Sequence, residues 1–160
     1  MNVKARMGCL LIATAVSADG AAAASNRTVD DVAEAVFRQQ MSLWLEGSTG
    51  DSQTVLCLAI ERDSLPEAVS REFLQRFKIQ GRLRSRGECD GRKEGAIERT
   101  TGRPAILVTV GAMKWLSGDE AEVTVHHFRS QRISGTRSYR VVRERSRWIC
   151  LGQIIEIAPA

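Results

Sequence analysis

The carboxy-terminal third of the chain leaves its topology little choice. Four stretches rich in strand-forming residues, 104–116, 120–130, 136–144 and 147–157, follow one another closely. They are separated by Ser117-Gly118-Asp119, by a turn around Ser134-Gly135, and by Arg145-Ser146. A parallel return needs a crossover of about a dozen residues or more, so these neighbours must pair antiparallel. In 120–130, Ala121, Val123 and Val125 alternate with Glu122 and Thr124, the period-two pattern of a strand buried on one face only.

Upstream, the periodicity changes. Val29, Val32, Ala33, Val36, Phe37, Met41 and Trp44 recur at helical spacing and form one apolar stripe. Thr28 is placed to cap this helix, and Asp30, Asp31 and Glu34 complement its dipole. The loop chemistry of Gly47-Ser48-Thr49-Gly50-Asp51-Ser52 ends it near Leu45. Residues 54–60 are apolar on both faces and read as a buried strand. Ser64-Leu65-Pro66-Glu67 has the form of a capping box with proline in the first turn. Leu65, Ala68, Val69, Phe73 and Phe77 continue it as a second amphipathic helix ending before Gly81. Stretches 82–86 and 95–100 are further strand candidates, separated by the loop that carries Cys89. The expected fold class is α+β: an amino-terminal helix and a second helix packed on a curved antiparallel β-sheet.

The start of the chain has a different character. Lys4 and Arg6 precede the apolar run Cys9-Leu10-Leu11-Ile12-Ala13-Thr14-Ala15-Val16, and small residues follow through Ala24. That is the layout of a secretory signal peptide, too short in its apolar part to span a bilayer. Residues 1–24 are therefore expected to be a signal peptide and 25–160 a single domain, secreted or periplasmic. Three cysteines then remain, Cys57, Cys89 and Cys150, at spacings that fit no zinc or redox motif. In an oxidising compartment they predict one disulfide and one buried thiol. Cys57–Cys89 is the preferred pairing, because Cys89 lies in a loop able to reach a partner, and Cys89–Cys150 is the alternative.

Tyr139-Arg140-Val141-Val142-Arg143-Glu144-Arg145-Ser146-Arg147-Trp148-Ile149-Cys150 resembles the closing hairpin of the nuclear-transport-factor-2-like, cystatin-type cones. Lys114-Trp115 through Val125 resembles the hairpin before it. The resemblance implies a pocket between the first helix and the concave sheet, where isomerase, cyclase or hydratase relatives place an Asp, a Tyr or a His. It offers His127 and Tyr139 as catalytic candidates here and transfers no catalytic carboxylate.

The residues themselves argue for little chemistry. His126 and His127, the only histidines, point to opposite faces of a strand and cannot share a metal in regular geometry. No motif for a cofactor or a metal is present, and neither is expected. Arg137, Arg140, Arg143, Arg145 and Arg147 crowd the last hairpin and form a candidate anion-binding stripe. The net charge is only +4 and aromatic residues are 5% of the chain, which leaves no stacking platform for nucleic acid. The leading expectation is a non-catalytic binding module for a protein partner or an anionic envelope component. The alternative is a small isomerase- or hydratase-like enzyme acting on an apolar ligand.

Overall fold

The computed structural model describes residues 18–46 and 53–154. The protein is α+β, with helix α1 (Ala18–Met41) running into a single π-helical turn (Ser42–Glu46). The strands are β1 (Val55–Arg62), β2 (Leu65–Ala68), β3 (Leu83–Ser85), β4 (Cys89–Gly91), β5 (Ala96–Glu98), β6 (Pro104–Ser117), β7 (Glu120–Ser130), β8 (Ile133–Glu144) and β9 (Arg147–Ile154). A one-turn helix, α2 (Arg71–Leu74), lies between β2 and β3. No helix among the described residues is long and apolar enough to cross a membrane.

The main sheet runs β2-β1-β6-β7-β8-β9. From β6 to β9 it is the antiparallel meander that the short connections require. The sheet as a whole is mixed, which corrects the expectation of a purely antiparallel one. β1 runs parallel to β6 along Val55–Ile60 and parallel to β3 along Leu56–Leu58. The long connection from β2 to β6 supplies the crossover. β1 is thus bonded along both edges and covered on both faces, and Val55 through Ile60 are all buried.

The second helix is also corrected. Ser64 does not cap a helix; Asp63 and Ser64 have φ of 50° and 64° and form a two-residue hairpin turn from β1 into β2. Positive φ at both central residues matches the twist of the flanking strands, and β-pairing of Leu65–Ala68 with Ala59–Arg62 outweighs local helix propensity. The cap comes later, where the Ser70 side chain accepts from the Phe73 N–H at 3.1 Å and the helix lasts only to Leu74. At the other end, α1 begins at Ala18 rather than at Thr28. The alanine run 21–24 has the highest helix propensity and carries the helix through Thr28. Of the expected signal peptide, residues 1–17 lie outside the described residues, as does the expected loop over 47–52.

Two cores result. On the inner face, Val32, Val36, Phe37 and Met41 of α1 pack on Leu58, Val108, Val125 and Tyr139. Phe73 closes one side, edge-on to Phe37 with ring centroids 5.9 Å apart. On the outer face a smaller cluster joins Val55, Cys57, Cys89, Ala96, Ala105 and Leu107, with Phe128 against it. The Cys57–Cys89 disulfide lies inside this cluster.

Candidate functional site

The inner face holds both catalytic candidates and does not bring them together. Tyr139 pairs with Val123 and His127 with Gly135, four positions apart on the β7–β8 ladder. Tyr139 is 1% exposed, and its hydroxyl has no hydrogen-bond partner among the described residues. His127 is half-buried against Trp44, with ring centroids 5.3 Å apart. Its burial, and secondarily the positive charge of Arg137, push its pKa below the ordinary imidazole value, so at neutral pH the ring is uncharged.

The arginines of the last hairpin divide between faces, because alternate residues of a strand point opposite ways. Arg137 and Arg143 share the inner side with Tyr139, whereas Arg140 faces outward and pairs with Glu120. Arg143 lies 3.6 Å from Asp119. Arg145 occupies the hairpin turn with φ of 45°, and Arg147 opens the edge strand β9. The five do not make one continuous cationic surface. Cys150, half-buried beside the inner core, is a free thiol whose pKa burial raises, which keeps it protonated and poorly nucleophilic.

Three concavities stand out among the described residues, and neither His127 nor Tyr139 lines any of them. The largest, about 660 Å³, is a groove between α1 and the β8–β9 hairpin. One wall carries Asp31, Glu34 and Arg38, and the other carries Arg147, Trp148 and Ile149. The acidic wall is held by a network. Arg38 donates to Glu34 at 2.6 Å, and Arg76 reaches Asp31 at 2.9 Å and Glu34 at 3.3 Å. Arg38 also stacks over the Phe77 ring and Arg76 over Phe73, at 5.1 and 5.2 Å from the ring centres. On the opposite wall, Trp148 packs edge-on to Trp115 at 5.7 Å. Ile149, which also lines the groove, is 40% exposed. A polar wall with fixed charges facing an apolar, aromatic one is the composition of a recognition surface.

Sequence reasoning named Arg147 and missed the rest of this groove. In the sequence Asp31 and Glu34 read only as complements of the helix dipole and Trp148 only as part of the closing hairpin, and nothing there brings residues 31–38 to residues 146–149. Among the described residues no three metal-ligating side chains gather at one point. No family model, no curated protein and no solved structure matches the chain.

Proposed function

We propose that the protein is an exported, non-catalytic binding module that holds a protein partner in the groove between α1 and the β8–β9 hairpin. The observation that carries this reading is the filled interior. Leu58, Val108, Val125 and Tyr139, which would line a helix–sheet pocket, are each no more than 1% exposed. With the inside occupied, recognition falls to surfaces, and the groove combines an aromatic anchor with exposed aliphatic and charged neighbours. A disulfide buried in the outer core is compatible with an extracellular or periplasmic protein. A long helix against the inner face of a four-strand meander supports the likeness to the NTF2-like cones. The reading as an isomerase- or hydratase-like enzyme has less support, since its two candidate residues are apart and line none of the three concavities described above.

Affinity capture from the exported fraction of the producing cell tests the proposal. A specific partner held by the wild-type protein is expected to be lost with Trp148→Ala and with Arg147→Glu. Retention by both variants contradicts the groove. Absence of any retained protein, alongside a melting-temperature shift with a steroid-like or aromatic compound, favours the enzyme reading.

A further inference from the structure

The main sheet has two edges, and they are built differently. At one, β2 is four residues long and carries Pro66 and Glu67, the short, charged, proline-bearing form that keeps another chain from pairing there. At the other, β9 is eight residues long, and after Arg147 its sequence Trp148-Ile149-Cys150-Leu151-Gly152-Gln153-Ile154 holds neither a charge nor a proline. Among the described residues β8 is its only strand partner, so its far edge presents a row of unpaired N–H and C=O groups. The ladder with β8 is regular over Arg147–Cys150 and bulges at Leu151, which leaves a clean template along the part that walls the groove. On this stretch Trp148 and Cys150 face the inner core, whereas Ile149, opposite Val142, faces outward and is exposed.

We propose that a second copy of this chain binds here, β9 against β9 in antiparallel pairing about a twofold axis through Ile149. The proposal rests on the groove reading, because β9 is one of the groove's walls, and it names the partner. A twofold perpendicular to the sheet keeps the outer faces of both copies on one side. Residues directly opposite must then share a face, so the axis passes through a residue and not between two. With Ile149 on the axis, its exposed apolar side chain meets its own counterpart on the outer face. On the inner face, Trp148 of each copy lies opposite Cys150 of the other. Arg147 lies opposite Leu151, which is uncharged and 58% exposed. No like charges meet, since the one charged residue of β9 stands two positions from the axis. An unblocked edge that pairs with itself without charge conflict selects the chain's own copy as occupant. The added strand continues the antiparallel order of the β6–β9 meander across both copies.

Sedimentation equilibrium of the protein purified from the exported fraction, over a micromolar concentration series, tests this. A monomer–dimer equilibrium is expected. Ile149→Lys sets two ammonium groups opposite each other and is expected to weaken association by about tenfold or more, while Ile149→Val leaves it in place. In a Cys150→Ser background, Ile149→Cys is expected to give a disulfide-linked dimer under mild oxidant, well above the yield from Lys93→Cys. A protein that stays monomeric, or a dimer that Ile149→Lys leaves unchanged, overturns the second copy. So does an equal yield from the two cysteine variants. If the monomer still crosslinks from position 149 to a different protein, the groove reading stands without the second copy; a monomer with no adduct from 149 overturns both.

Discussion

Cys57 and Cys89, 32 residues apart, are joined by a disulfide between the outward side of β1 and the short strand β4. The small outer core is assembled around that bond, since β4 and β5 are three residues each and hold little apolar surface of their own. Closing a loop of this length restricts the unfolded chain by about 2–4 kcal/mol. The double variant Cys57→Ala/Cys89→Ala is expected to lose stability of that order in urea unfolding. Adding reductant to the wild-type protein should reproduce the loss.

Glu98 is the acid-sensitive member of the same layer. Its side chain is 4% exposed and accepts from Arg84 and Thr101. Burial alone would raise its pKa, but the hydrogen bonds from Thr101 and Arg84 and the charge of Arg84 outweigh it and hold the carboxyl below the ordinary range. A carboxyl depressed in the folded state stabilises the fold above its unfolded pKa of about 4.3, and that contribution is lost as pH falls through the lower folded value. Glu98→Gln is expected to destabilise by about 1–3 kcal/mol at pH 7, because Arg84 loses its buried partner. The variant's unfolding midpoint should also fall less than the wild type's between pH 5 and 3.

His127 has the opposite protonation chemistry and the same direction with pH. Its lowered pKa means that the unfolded chain takes up a proton first as pH falls through about 6.5. Stability from this group is complete above that pH, declines with acidification, and stops changing below the folded pKa. Comparing unfolding midpoints at pH 8 and pH 5, His127→Gln should show a smaller drop than the wild type.

The turn between β1 and β2 is open to improvement. Asp63 and Ser64 both hold positive φ, where an L-residue is strained and glycine is not. Ser64→Gly is expected to stabilise by about 0.5–1 kcal/mol, and Ser64→Val to destabilise by at least as much, measured by thermal unfolding. A Ser64 that began a helix, as its Ser-x-x-Glu setting predicts, would respond with the reverse order for glycine.

That turn shows where the sequence is legible and where it is not. The β6–β9 meander is readable because alternation and short turns are local signals, and the two-faced apolarity of β1 announces its burial. The partners of β1 are unreadable, because its contact with Ala105–Val110 spans some forty residues of intervening chain. Leu65 to Ala68 carry a helix-start pattern that is overridden by pairing with β1, an interaction that no window around Ser64 contains. β5 falls within the strand candidate 95–100, whereas β4 hides in the charged loop that carries Cys89, because a disulfide, not apolar periodicity, secures it. The groove shares this limit: it joins side chains from distant segments.

The central claim is that binding takes place in the groove between α1 and the β8–β9 hairpin while the interior stays closed. A photo-crosslinking amino acid at Ile149, with a second chain carrying it at Lys93 in the β4–β5 connection, which does not line the groove, tests this in the producing cell. The account predicts a discrete partner adduct from position 149, reduced when Arg147→Glu is added, and none from position 93. No adduct at 149, or an equal one at 93, would contradict it.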